Sequence, residues 1–426
     1  MKNMRVAIAG YGKSGKSAEK ILKCRGVDNI EIYDDYLMET KKIGELGKHE
    51  FDCVVLSPGI DYKKYPICTK NIISEIDLAY SLVNEPEKII AVTGSNGKST
   101  TTHLLAQIIN KLGKNAVDCG NIGKTFADVA LENYYDYYVV ELSSFQIELL
   151  KLFRANRLIV TNISTNHLDR YSTYEEYIEA KLSIVNRINK NGYIVSFEDP
   201  VLKRYISPYK GRTTFIDNRL NSFPELLNNT LCFGNKFYCN IDKYLLFGKH
   251  NLYNLAYALL VANDIFNLTG DITYLFEGLK GLPHRSEVVT SIEGIEFIND
   301  SKSTTIASTE SLLSSLGRKC VLILGGKDKG DDFSKLKNAV QSFAQVLILY
   351  GQAADKIYKQ LGQILDIPIY MCENLKEATI KAYKNASSSQ LVIFSPACSS
   401  YDAFKNFEER GEYFKTIIRD LMNGNS

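Results

Sequence analysis

Short apolar runs bounded by turn residues alternate with stretches of helical spacing along most of the chain. Parallel strands buried on both faces read as continuous apolar runs, so this alternation predicts α/β layers on largely parallel sheets. The pattern opens with a strand at 6–9, continues with strands near 30–33 and 53–56, and fades in the polar stretch 84–88. It restarts with a strand at 89–92 and runs to about residue 280, with hairpin material at 231–247 and a buried helix at 252–266. A third block follows Gly281-Leu282-Pro283, with strands near 295–298, 321–324, 346–349 and 391–394. Three domains are expected, 1–87, 88–281 and 282–426, and the length of 426 residues agrees with about 150 per domain.

Composition narrows the class. With 45% hydrophobic and 23% charged residues, each block can bury a core. Basic residues number 51 and acidic ones 49, so no net field draws the chain to nucleic acid or an acidic membrane. Nine cysteines without a Cys-x-x-Cys pair read as reduced, mostly buried thiols of a cytosolic protein. No apolar run reaches membrane-spanning length, and Met1 leads straight into a strand pattern without a signal peptide.

Two glycine-rich turns compete for phosphate. Gly10-Tyr11-Gly12-Lys13-Ser14-Gly15 matches G-x-G-x-x-G after the first strand, and Asp34 ends the next strand near the spacing of a ribose-binding acid. Such a loop aims a helix N-terminus at phosphate, although a tight turn can need its glycines for steric reasons alone. The second turn, Gly94-Ser95-Asn96-Gly97-Lys98-Ser99-Thr100, follows strand 89–92 and opens a helix at 101–112. It is two residues shorter than the strict G-x-x-x-x-G-K-[ST] string, yet the physics holds. Glycines let backbone N–H groups face phosphate, Lys98 supplies a point charge, and Ser99 or Thr100 can hold Mg²⁺. The triphosphate is therefore assigned to Lys98 and another nucleotide to the first turn.

Further candidates line the same strand ends. Strand 137–140 ends in Glu141, where a carboxylate can hold Mg²⁺ on phosphates. His167 follows the next strand as a candidate ligand or acid/base group. Tyr174, Ile178, Val185 and Ile188 mark one face of a helix, and Lys181 fills the missing place in that stripe. A buried ammonium is costly unless paired or neutralised, though a snorkelling stem is the alternative. Asn251 and Asn254, three apart on the buried helix, can face one ligand or cap the helix. His284-Arg285, Asp300-Ser301-Lys302 and Gly325-Gly326-Lys327-Asp328-Lys329 supply cations near strand ends of the third block, which suits phosphate or carboxylate substrates.

Taken in order, these motifs resemble the Mur ligase family over almost the whole chain. The resemblance includes Ser57-Pro58-Gly59-Ile60, the 94–100 turn, Gly120-Asn121-Ile122-Gly123, 141–146, 167–171, Lys181 and Leu282-Pro283-His284-Arg285. It continues through Asn299-Asp300-Ser301-Lys302 and Ser395-Pro396-Ala397-Cys398 to Lys405-Asn406-Phe407-Glu408-Glu409-Arg410-Gly411. Segments 167–171 and 405–411 resemble the branch that adds D-glutamate. The resemblance implies a Rossmann-like UDP-sugar domain, a central P-loop-type ATPase and a C-terminal Rossmann-like amino-acid domain. It implies an ATP-dependent ligase that activates the terminal carboxylate of UDP-N-acetylmuramoyl-L-alanine as an acyl phosphate for attack by D-glutamate. A cytoplasmic monomer of peptidoglycan-precursor synthesis is expected, with small-molecule substrates and neither nucleic acid nor membrane as partner.

By the same resemblance, Lys98, Ser99 and Glu141 would hold the phosphates and a first Mg²⁺. His167 and Lys181, the latter as a CO₂-derived carbamate, would serve a second. Gly94, Asn96, Gly97, Thr100, Asn251, Asn254, Arg285 and Asp300 would complete the ATP site. Lys13, Ser14, Asp34, Asp35, Ser57 and Gly59 would bind UDP, with Asn121 and Ser143 facing the muramoyl end. Lys302, Thr304, Lys329, Ser400, Tyr401 and Phe407 would surround D-glutamate. Tyr36 stands where some relatives carry an arginine for the uridine nucleotide, and Asn166 stands where an acidic residue is common. Another amino-acid ligase or a folylpolyglutamate synthase is the alternative within the superfamily. A nicotinamide-dependent dehydrogenase is the remote one, and it leaves Gly94–Thr100, Glu141 and Lys181 without a role.

Overall fold

The apolar runs become strands. The computed structural model describes residues 4–65, 67, 69, 71–164, 170–217, 220, 221, 223–242, 244, 249–316, 318–388 and 390–424, and not the side chains of Lys63 and Lys249. The chain divides into two compact units, Met1–Lys243 with Leu252–Glu277 and Tyr244–Asn251 with Gly278–Ser426.

The first unit carries two parallel sheets. One takes the order β2-β1-β3-β4, from β1 (Arg5–Ala9), β2 (Asn29–Tyr33), β3 (Cys53–Leu56) and β4 (Ile72–Ser74). Helices α1 (Lys13–Cys24) and α2 (Glu75–Val83) belong to it. The other comprises β5 (Ile89–Thr93), β6 (Ala116–Gly120), β7 (Tyr137–Glu141), β8 (Ala155–Val160), β9 (Ile188–Phe197) and β10 (Arg212–Ile216), in the order β10-β9-β8-β5-β7-β6. Its helices are α3 (Lys98–Lys111), α4 (Phe126–Glu132), α5 (Ser144–Glu148), α6 (Tyr174–Leu182) and α7 (Pro200–Ile206). All five residues of β5 are buried, as a central parallel strand requires. The hairpin material becomes a small sheet of β11 (Glu225–Leu227), β12 (Thr230–Phe233) and β13 (Phe237–Asn240), with β14 (Gly270–Asp271) added in parallel. Helix α8 spans Lys249–Phe266.

A buried polar joint ties the two parallel sheets of this unit together. The Asp77 carboxylate, on α2, accepts the backbone N–H groups of Lys151, Leu152 and Phe153 at 2.9–3.0 Å. Glu75 accepts that of Ala127 at 2.6 Å, and Ser17 donates to Asp128 at 2.8 Å.

The second unit holds β15 (Glu287–Ile292), β16 (Ile295–Asn299), β17 (Cys320–Gly325), β18 (Ala344–Tyr350), β19 (Ile369–Cys372) and β20 (Leu391–Phe394), in the order β15-β16-β20-β17-β18-β19. Only β15 pairs antiparallel, at the edge. Its helices are α9 (Ile306–Leu316), α10 (Lys337–Phe343), α11 (Ala354–Leu361), α12 (Leu375–Lys384) and α13 (Phe407–Met422).

The strand order of each parallel sheet reverses once, at β1, at β5 and at β17. Such switch points open crevices at the carboxyl ends of strands, where ligands bind in α/β sheets. The two glycine turns and the Gly325-Gly326-Lys327 run leave those strands. The continuous helical stripe from Tyr174 to Ile188 is a correction: the α-helix ends at Leu182, a 3₁₀ turn covers Ser183–Arg187, and Ile188 starts β9. Its apolar residues mark one buried side of a helix, turn and strand in succession. Among the described residues, no helix is long and apolar enough to cross a membrane.

Candidate active site

The 94–100 turn is a fixed scaffold. Gly94 and Gly97 sit at φ +141° and +80°. A Cβ on Gly94 would enter the Thr161 hydroxyl, and one on Gly97 would lie 2.5 Å from Asn254 Oδ1. Thr161 and Asn162, just past β8, clamp the turn: Thr161 Oγ1 donates to the Asn96 carbonyl at 2.6 Å, and Asn96 N donates to Asn162 Oδ1 at 2.9 Å. Ser95 Oγ lies 2.9 Å from Tyr177 Oη. Thr101 Oγ1 donates to Asn254 Oδ1 at 3.2 Å, which places Asn254 against the base of the turn. The first-turn N–H groups of α3, starting at Lys98, Ser99 and Thr100, make the positive end that phosphate requires.

Three charged groups gather there. Lys98 Nζ curls back to the carbonyls of Gly94 and Ser95, 2.9 Å from each. Lys181 is 2% exposed, donates to the Gly94 carbonyl at 2.9 Å and lies 5.1 Å from the Tyr177 ring centroid. Burial first, and then the Lys98 charge, lower its pKa to about 7 against the opposing pull of Glu141. Glu141 is buried; Oε1 accepts from Asn121 Nδ2 at 2.8 Å, while Oε2 has no hydrogen-bond partner among the described residues. A buried carboxylate oxygen without a donor, at the end of the strand that pairs with β5 and so beside the strand that feeds the phosphate turn, fits a hard cation. Mg²⁺ commonly takes one or two carboxylates and completes its shell with phosphate oxygens and water. No cluster of three His, Cys, Asp or Glu side chains occurs among the described residues. Ser143 caps α5 in a reciprocal capping box with Gln146. His167 lies outside the described residues.

At the first turn, Asp34 accepts the backbone N–H of Tyr11 at 2.7 Å and that of Tyr36 at 2.9 Å. These bonds, led by that from Tyr11, hold the Asp34 pKa below the usual carboxylate value. Asp35 accepts from Ile43 N at 2.9 Å and from the Tyr65 hydroxyl at 3.1 Å. Ser57 Oγ donates to the Gly10 carbonyl at 2.6 Å. Lys13 and Gly59 are exposed and Ser14 half-buried at the same strand ends. Arg170 connects the two loop systems: it donates to the Pro58 carbonyl at 2.8 Å and lies over the Phe145 ring at 4.2 Å.

In the second unit, Lys302 Nζ lies 5.7 Å from the Phe407 ring centroid, Thr304 N donates to the Lys302 carbonyl, and Lys329 Nζ reaches the Thr304 carbonyl at 3.2 Å. Lys302, Thr304, Lys329 and Phe407 are thus brought together. Ser400 is buried and Tyr401 is 66% exposed. Asp300 is buried, accepts from Ser286 N at 3.0 Å and Ser395 Oγ at 2.8 Å, and is raised by burial to a pKa of about 6. Arg285 is half-buried beside it. Asn251, buried, accepts at its carbonyl from Tyr244 Oη at 3.1 Å.

The sequence reading quoted Arg410 within the 405–411 segment but gave it no role, although it organises this cluster. Arg410 is fully buried and donates to Ser301 Oγ and the carbonyls of Ser301, Cys398 and Ser399 at 2.8–3.0 Å. It thereby fixes the neighbours of Lys302 and Ser400. Tyr177, Thr161 and Asn162 were missed, being ordinary strand-end and helix residues until the fold sets them on the phosphate turn.

Comparison with known proteins places these features in a group. Residues 92–262 match the Mur ligase middle domain, and residues 284–398 match the domain described as Mur ligase, glutamate ligase domain. The UDP-N-acetylmuramoylalanine--D-glutamate ligase of Bacteroides fragilis is 35% identical, over 98% of this chain and 100% of the relative. That of Aquifex aeolicus is 35% identical over 97% of this chain and 98% of its own. Among solved structures, MurF ligase from Thermotoga maritima in complex with ADP shares the fold (TM-score 0.59, 16% identity, 99% of this chain and 97% of that one). So does Thermotoga maritima MurC (TM-score 0.59, 17% identity, 99% and 100%).

Proposed function

The chain belongs to the Mur ligase family, and from that premise we propose that it joins D-glutamate to UDP-N-acetylmuramoyl-L-alanine with cleavage of ATP to ADP and phosphate. The work divides over residues 1–87 for the UDP-sugar, 88–281 for ATP and 282–426 for the amino acid, in a monomer acting in cytoplasmic peptidoglycan-precursor synthesis. The observation that carries the reading is the phosphate turn with buried Lys181 and the unpaired Glu141 Oε2 beside it.

A carboxylate is a poor electrophile until one oxygen becomes part of a leaving group. The terminal carboxylate of the sugar substrate attacks the γ-phosphorus, the bond to the β-phosphate oxygen breaks, and ADP departs from an acyl phosphate. The amine of D-glutamate then attacks the acyl carbon. The tetrahedral adduct loses a proton and expels phosphate, leaving the amide.

Lys98 exchanges the Gly94 and Ser95 carbonyls for the β- and γ-phosphates, while the amino end of α3 stabilises the same charge. Ser99 and Glu141 hold Mg²⁺, which when bound neutralises phosphoryl charge. His167 and Lys181 serve the second metal. The low pKa of Lys181 supports its role as a carbamate: a neutral amine attacks CO₂, forms the N–C bond and loses a proton, turning an awkward buried cation into a ligand. Gly94, Asn96, Gly97, Thr100, Asn251, Asn254, Arg285 and Asp300 complete the ATP site. Lys13, Ser14, Asp34, Asp35, Ser57 and Gly59 receive UDP, and Asn121 and Ser143 the muramoyl end. Lys302 and Lys329 meet the carboxylates of D-glutamate, supported by Thr304, Ser400, Tyr401 and Phe407.

Hydroxylamine trapping tests the intermediate. With ATP and UDP-N-acetylmuramoyl-L-alanine but no amino acid, a hydroxamate of the sugar substrate is expected. Its absence alongside normal amide formation would contradict the acyl phosphate.

A further inference from the structure

A cavity of about 820 Å³ opens at the amino end of β9, between the end of α6, the 3₁₀ turn that follows it and the end of α7. Strand β9 runs parallel to β8, and β8 to β5. The cavity therefore lies on the rim of the sheet opposite the phosphate turn, which leaves the carboxyl end of β5. Its size is that of a small-molecule site, for which roughly 300–1,000 Å³ is usual.

One wall is apolar and fixed. Leu182, Val185 and Ile188 are buried members of the core, and Tyr205 and Tyr209 pack against it. The Tyr209 hydroxyl donates to the Asn189 carbonyl at 2.5 Å, and a Cβ on Gly192 would lie 2.9 Å from that hydroxyl, so bare backbone makes room for the phenol. The mouth carries charge. Lys190, Arg204 and Lys210 line it and are exposed. Neither lysine ammonium has a hydrogen bond or ion pair among the described residues, and Arg204 lies 5.9 Å from the Tyr205 ring centroid. Glu179, also exposed, is the only acid among the described lining residues. Three cations against one carboxylate, above an apolar wall, fit an anion carried on an apolar body. We propose that this cavity binds a small amphipathic anion, its carboxylate or phosphate head on Lys190, Arg204 and Lys210 and its body against the tyrosines and the core residues behind them. The site is separate from the nucleotide, sugar and amino-acid sites proposed above.

Four probes test it. 1-Naphthyl phosphate and 1-naphthoate carry one ring with the two head groups, 1-naphthalenemethanol carries the ring without charge, and inorganic phosphate carries charge without the ring. Calorimetry is run on the full chain with saturating ADP and UDP, so that sites for those nucleotides are filled. At least one naphthyl anion should bind at a single site about tenfold or more tightly than the alcohol and than inorganic phosphate, the scale of a charge-assisted hydrogen bond. The tighter anion identifies the head group. Arg204→Glu and Lys210→Glu should each weaken that binding at least about fivefold, and leave the melting temperature unchanged because both side chains are exposed. Binding of neither anion in the presence of ADP and UDP overturns the site. So does equal affinity for the alcohol or for inorganic phosphate, or wild-type affinity in the two charge reversals.

Discussion

The ammonium of Lys181 donates to the carbonyl oxygen of Gly94 at 2.9 Å, so a buried lysine on α6 is bonded to the first residue of the phosphate turn. Burial alone disfavours its charge, and Lys98 adds repulsion. A side chain kept in that position at a cost to folding serves the site rather than the core. Lys181→Met should lower turnover at least about 10²-fold while leaving the melting temperature equal or higher, because a desolvated amine gives way to an apolar chain of similar length. Carbon-13 NMR with labelled bicarbonate should show a carbamate signal in the wild type that the variant lacks. A variant that unfolds, or one that keeps wild-type turnover, would contradict this role.

Lys98→Ala removes the cation that stands at the mouth of the turn. Turnover should fall at least about 10²-fold, the scale expected when a charge stabiliser of phosphoryl transfer is lost. ADP formation at saturating ATP and sugar substrate is the readout, and retention of full rate would take Lys98 out of the mechanism.

Gly97 and Gly113 separate strain from crowding. Both have positive φ, +80° and +83°, but only a Cβ on Gly97 meets a neighbour, Asn254 Oδ1 at 2.5 Å. Gly113→Ala should cost about 1 kcal/mol of stability from backbone strain alone. Gly97→Ala should cost more and also weaken ATP binding, because Asn254 and the turn must part. Thermal denaturation and nucleotide calorimetry of the two variants check the contrast.

Glu75 makes stability depend on pH. Burial raises its pKa from 4.5 to about 7, with one backbone N–H opposing and Asp128 adding to the rise. The folded state therefore binds the proton more tightly than the unfolded one between about pH 4.5 and 7, and stability falls as pH rises through that window. Glu75→Gln keeps an acceptor for the Ala127 N–H and removes the titration. It should be more stable than wild type at pH 8 by on the order of 1–3 kcal/mol, and little different at pH 4. Parallel melting curves from pH 4 to 8 would reveal a constant gap if Glu75 were not the cause.

Sequence pattern reached the buried parallel strands, because β5, β17 and β20 are covered on both faces and read as unbroken apolar runs. Strand β6 mixes polar and apolar residues, and β19 is a four-residue edge strand that is only half-buried; neither was anticipated. The phosphate turn was legible since its chemistry is local, carried by glycines and a lysine in a row. Asp77 and Arg410 were not, since their partners lie 75 and 109 residues away, and a carboxylate or guanidinium looks solvated until the fold buries it. Lys181 stood between: its stripe announced burial, but only the fold supplied Gly94, Lys98 and Glu141 as neighbours.

The most direct test of the account is the amino-acid dependence of phosphate release from ATP and UDP-N-acetylmuramoyl-L-alanine with Mg²⁺. Sustained release that requires D-glutamate, fails with L-glutamate and matches amide formed one to one is the predicted result. Sustained release indifferent to the amino acid, or none with D-glutamate present, would contradict it.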